Sequence, residues 1–144
     1  RSAFEKATNF NGNISNWDMS NAVSLEKAFY NASSFNQDIS SWNVSNVEKY
    51  AYIFSSASSF NQDISNWDVS KGTNFSSSFS RANSFNQDIS DWDVAKGTNF
   101  TSMFLFNKGF NQDISTWNVS NATSWSSFYK DSVLNISNIP PKFR

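Results

Sequence analysis

Large apolar residues recur along this chain at a fixed interval of 25 positions. Phe4, Phe29, Phe54, Phe79, Phe104 and Tyr129 form one column, and Phe10, Phe35, Phe60, Phe85 and Phe110 a second. Ile14, Ile39, Ile64, Ile89 and Ile114 form a third, with Ile139 still in register. Trp17, Trp42, Trp67, Trp92 and Trp117 are followed two places on by Met19, Val44, Val69, Val94 and Val119. A sixth column holds Leu25, Tyr50, Phe75, Phe100 and Trp125. A constant period of this length marks a repeat array, in which no unit buries its apolar face alone.

The pattern within one unit predicts two elements. Trp42 and Val44 flank Asn43 in strict alternation, as a short half-buried strand requires. Tyr50, Ile53, Phe54 and Ala57 follow at i, i+3, i+4, i+7, one face of a helix of about two turns. Ser45 and Glu48 have capping-box spacing, and Thr73 stands where it could cap the third unit. The prediction is an α/β repeat solenoid of about five 25-residue coils, each a short parallel β-strand plus a short helix. Five large side chains per coil, at about 1.5–3 kcal/mol each, supply on the order of 10 kcal/mol before entropy. The array spans 1–133, with units at 10–34, 35–59, 60–84, 85–109 and 110–133, and 134–144 is a C-terminal cap or exit segment. The chain begins at Arg1 in mid-repeat, which reads as a piece of something longer.

The polar positions repeat as strictly as the apolar ones. FNQDIS stands at 35–40, 60–65, 85–90 and 110–115, and FNGNIS at 10–15. Phe35 and Ile39 belong to the core. Asn36, Asp38 and Ser40 are expected to tie the corner that feeds the strand, and Gln37 is either exposed or bridges units.

This unit, FNQDISxWDVS followed by a segment with an aromatic, a Phe and an Ala, resembles the 25–26-residue repeat of BspA-like leucine-rich-repeat bacterial surface proteins and mycoplasma lipoproteins. Similar arrays occur in marine protists and some large DNA viruses. The likeness covers the chain to about Val133. It implies a leucine-rich-repeat-like solenoid displayed at a surface, with adhesive or structural roles, and supplies no catalytic residues. Lys71 and Gly72, and Lys96 and Gly97, replace the usual Asn and Val, which suggests a different turn there.

Composition narrows the chemistry. There is no Cys and no His, which excludes Cys-based zinc sites, imidazole ligands and Ser–His–Asp or Cys–His nucleophile systems. A net charge of −1 gives no basic field for nucleic acid. No apolar run approaches the roughly 18 residues of a membrane span, so direct insertion by this segment is not expected.

Two acidic columns remain. The first is Asn13, Asp38, Asp63, Asp88 and Asp113. Cations, calcium in particular, could sit between stacked carboxylates. Alternatively each side chain accepts hydrogen bonds from its own turn. Asn13 favours the turn, because Asn makes it equally well and is a poorer ligand for a hard cation. No other cofactor is expected. The second column is Asp18, Asn43, Asp68, Asp93 and Asn118, pointing away from the core. With Asn16, Ser41, Asn66, Asp91 and Thr116 it makes a polar strand face suited to binding a glycan or protein, against the alternative of a merely solvated face. The Trp column, a common hot-spot type, is needed inside. Eight Asn-x-Ser/Thr sequons occur, many of them expected by chance in so Asn- and Ser-rich a chain; Asn31, Asn74 and Asn121 are the candidates for glycosylation.

The function expected is a non-catalytic module, extracellular or at the cell surface, mediating adhesion or protein or glycan binding. One alternative is a structural component of a larger extracellular or virion assembly, its partners being neighbouring repeats or subunits. A third is a carbohydrate-active enzyme using the Asp91 and Asp93 carboxylates.

Overall fold

The structure is a computed structural model that describes residues 2–144. Its 25-residue units lie one on the next, joined by regularly spaced backbone hydrogen bonds. The strand–helix coil is not there. Among the described residues there is no α-helix and no strand; two 3-10 turns, Ile136–Asn138 and Pro141–Phe143, are the named helical elements. The α/β solenoid of strand-plus-helix coils, and the leucine-rich-repeat architecture with it, is therefore replaced by a stack of turns.

The predicted helix fails for an identifiable reason. Tyr50 to Ala57 make two consecutive four-residue turns, closed by Ile53 N–H to Tyr50 O and Ala57 N–H to Phe54 O, at 3.1 and 2.9 Å. The third residue of each, Tyr52 and Ser56, has φ of 58° and 59°. Positive φ at that place is the signature of a type II turn and stops a right-handed helix. The other amides face outward along the stack: Tyr50, Tyr52, Phe54 and Ser56 donate to the carbonyls of Asn74, Ser76, Ser78 and Ser80. Two four-residue turns repeat at 4.0 residues and a helix at about 3.6, so over eight residues both bury the same positions. The same alternation serves Leu25 to Ala32, where Lys27 and Asn31 have positive φ.

The predicted strand is also a pair of turns. Trp42 N–H returns to Ile39 O and Val47 N–H to Val44 O, both within the unit. Trp42 and Val44 are buried and Asn43 exposed, so the alternation reports burial without a ladder. Parallel pairing occurs one residue at a time elsewhere, at Ser24, Lys49, Asn74, Asn99 and Ser124. Ser45 and Glu48 form no capping box: Ser45 Oγ donates to Asn43 Oδ1, and Glu48 N–H to Val23 O. Thr73 caps nothing, its Oγ1 donating to Glu48 O in the unit before.

The core consists of the apolar columns. Phe10, Phe35, Phe60, Phe85 and Phe110 stack in register with centroids 5.8–6.0 Å apart. The Phe4 column stacks beside them, with Phe29 and Phe35 at 4.1 Å and Phe29 and Phe54 at 5.5 Å. Each indole N–H of Trp42, Trp67, Trp92 and Trp117 reaches back to an Ile carbonyl of the preceding unit, at 3.0–3.1 Å. A buried Trp requires such an acceptor. The expected change of turn at Gly72 and Gly97 is absent: their N–H groups bond Val69 O and Val94 O, as Val47 bonds Val44 O. The glycines instead make room for the following ring, since a Cβ there would lie 2.4 Å from the Phe75 or Phe100 ring.

Candidate functional site

The hexamer FNQDIS divides its labour by residue. Asp38, Asp63, Asp88 and Asp113 each accept through Oδ1 from the N–H two residues on, at 2.9 Å, and Asn13 does the same at 3.0 Å. This is the Asx turn, made by Asn and Asp alike. The serine after each Asp holds its carboxyl below the ordinary range, by hydroxyl first and amide second for Asp38, Asp63 and Asp113, amide first for Asp88. Among the described residues no cluster of three acidic groups has metal-holding geometry.

Asn36 does not tie its own corner. Its Oδ1 accepts the N–H of Asn61, one unit on, at 2.9 Å, and the column Asn11, Asn36, Asn61, Asn86 and Asn111 continues this ladder to Asn135. Gln62, Gln87 and Gln112 bridge back to the same asparagines through their side-chain amides. Gln37 reaches Asn11 at 3.1 Å, so it too bridges units.

From Asn43 onward the second polar column lies between buried Trp and Val, and all ten residues named for this face are exposed. Asp18, Asn43, Asp68, Asp93 and Asn118 each accept the N–H two residues on, so this column is a second row of Asx turns. The hydroxyls of Ser20 and Ser70 hold the Asp18 and Asp68 carboxyls below their ordinary range. Ser41 Oγ and Asn66 Nδ2 bond carbonyls of the preceding unit. Asn16, Asp91 and Thr116 make no side-chain hydrogen bond among the described residues. Asp91 and Asp93 line none of three surface depressions walled chiefly by Ser24, Glu26, Lys27 and Lys49, by Trp125 and Phe143, and by Thr101 and Thr123.

The sequon asparagines differ in surroundings. Asn31 is half-buried at positive φ, and Asn74 is half-buried, its Oδ1 taken by Ser76. Asn121 is exposed, its amide donating to Ala95 O at 2.8 Å.

Periodicity did not point to a cation–aromatic cluster at the surface. Lys27 Nζ lies 5.9 Å from the ring centres of both Tyr30 and Tyr52, and Tyr52 is 40 % exposed.

The stack of turns and its internal ladders define a tandem-repeat protein. The chain belongs to the family described as Mycoplasma protein of unknown function, DUF285, whose model matches it twice, over residues 1–84 and 62–139. The mycoplasma side of the resemblance therefore holds, and the leucine-rich-repeat side does not. No curated protein and no solved structure matches it.

Proposed function

We propose that this chain is a non-catalytic repeat module displayed outside the cell or on its surface, mediating adhesion by binding a protein or glycan across its exposed polar columns. One observation carries the reading: the same polar positions stand exposed in every unit, on corners held by Asx hydrogen bonds. Such a surface offers a ligand many hydrogen bonds with little ordering to be done on binding. The two acidic columns contain no aromatic residue, which favours hydrogen bonding over sugar stacking. Cell-surface display follows the resemblance to mycoplasma lipoprotein repeats.

Screening the chain against matrix proteins and cell-surface glycans tests this. Asp91→Lys with Thr116→Lys is the informative variant, because neither side chain makes a hydrogen bond among the described residues. Loss of binding at unchanged stability supports the exposed columns; unchanged binding removes them as the site.

A further inference from the structure

We infer that the turn side of the stack carries a docking edge for a second copy of this chain, built from Arg81, Lys108 and Lys130 and filled by the carboxylate row Asp63, Asp88 and Asp113 of that copy. The contact is separate from the ligand binding proposed above and does not depend on it.

A net charge of −1 conceals a separation of charge. The corner halves of the units, 10–20, 35–45, 60–70, 85–95 and 110–120, hold eight carboxylates and no cation. From Lys71 to Lys130 the turn halves, 71–84, 96–109 and 121–130, hold five cations and no carboxylate. All of these charged residues are exposed. The two halves wall the core from opposite sides: Phe54 and Phe79 of the turn half meet Trp67 and Trp92 of the corner half at 6.1 Å. Side chains that leave the core therefore carry opposite charge to opposite sides of the stack.

Three of those cations share one edge, one per unit. Arg81 lies over the Phe106 ring of the next unit, its guanidinium carbon 4.5 Å from the ring centre. Phe106 N–H donates to Lys130 O, and Lys108 Nζ to Asp131 O. The ring holds the guanidinium by cation–π attraction and leaves its N–H donors untaken among the described residues. The Lys130 ammonium is likewise without a partner there. Asp131 is the carboxylate nearest in sequence, and Lys108 takes its main-chain oxygen. The core does not require Arg81 or Phe106, because the same corner of other units holds Lys6, Asn31, Ser56 and Asp131.

The complementary row has the same period. Asp63, Asp88 and Asp113 stand exposed, one per unit; each has Oδ1 engaged by its own Asx turn and a second oxygen to offer. Their charges act on one another. For Asp88 the amide and hydroxyl of Ser90 lower the pKa most, while the Asp113 and Asp63 carboxylates push against that. A cation row seated on the column relieves this repulsion. Units joined by parallel pairing rise by about 4.8 Å each, so two copies with parallel axes set one cation against each carboxylate over three units. Edge and row are different patches, so the contact is heterologous and continues from copy to copy.

Sedimentation velocity over a concentration series tests this. We expect the mean mass to rise with concentration at about 10 mM salt, where exposed charges act over about 30 Å, and to stay monomeric at about 1 M, where they act over about 3 Å. One variant carries Arg81→Glu, Lys108→Glu and Lys130→Glu; the other carries Asp63→Asn, Asp88→Asn and Asp113→Asn. Each should weaken association on the order of a hundredfold. The Asn variant keeps its Asx turns, as Asn13 does, and an unchanged urea midpoint checks the fold of both. Mixed, the two variants should form dimers that grow no further, because only one edge and one row remain between them. A monomer at every concentration in low salt overturns the inference. So does association that either variant keeps or that survives about 1 M salt, and so does a mixture of the two variants that stays monomeric.

Discussion

Ser78 and Asn107 are two buried residues that break an apolar column, and they resolve the break in opposite ways. Ser78 stands where other units have Ala28, Ile53, Met103 and Phe128; it is 1 % exposed, and its Oγ has no hydrogen-bond partner. A buried unsatisfied hydroxyl is a desolvation cost without return, so Ser78→Ala is expected to stabilise by about 1 kcal/mol in urea unfolding. Asn107 replaces the Ala of Ala32, Ala57 and Ala82 and is fully buried, yet all its capacity is used. Its amide donates to Phe79 O and Ala82 O, and its Oδ1 accepts from Gly109 and Phe110. Asn107→Ala strands those groups and should destabilise by about 2 kcal/mol, read from the same midpoint. Both positions were visible as column breaks in the sequence. Which was satisfied was not visible, because Asn107 finds its acceptors 25 and 28 residues upstream.

At the scale of the element, two four-residue turns take the place of the helix and two Asx corners that of the strand. Eleven non-glycine residues, among them Lys27, Tyr52, Ser77, Ser102 and Phe106, hold φ between 54° and 61° among the described residues. Such backbone costs roughly 1–2 kcal/mol for an L-residue, and Gly adopts it without that penalty. Ser102→Gly is therefore expected to raise the unfolding free energy by about 0.5–1 kcal/mol, net of the entropy Gly loses. A fall in the thermal midpoint would show that the left-handed residue is not under strain. The helix prediction failed on these residues because nothing in Tyr52 or Ser77 announces positive φ. The conformation is imposed by the neighbouring units, whose carbonyls take every second amide of the turn.

Across the whole molecule the polar ladders tie stability to pH. Asp18, Asp38, Asp63, Asp68, Asp88 and Asp113 all have carboxyls held below their ordinary value by the serine two places on. A lowered folded-state pKa means that the unfolded chain binds protons first on acidification. The contribution is present in full above the unfolded value of about 3.9, and it is lost as pH falls through the lower folded values. The urea midpoint should thus be flat from neutral pH to about pH 5 and decline below about pH 4; a midpoint rising on acidification would contradict the Asx turns. The sequence by itself determined the period and most members of the core columns, because burial repeats wherever the stack repeats and leaves its mark on residue type. It also determined that Asp38 and its copies serve turns, since Asn13 does the same work without charge. Only the tertiary structure decided that the units are turns rather than strand and helix and that Asn36 and Gln37 bond across units. The physical reason is common to both: these hydrogen bonds join residues 24 to 28 positions apart, and the partner exists only once the units are stacked.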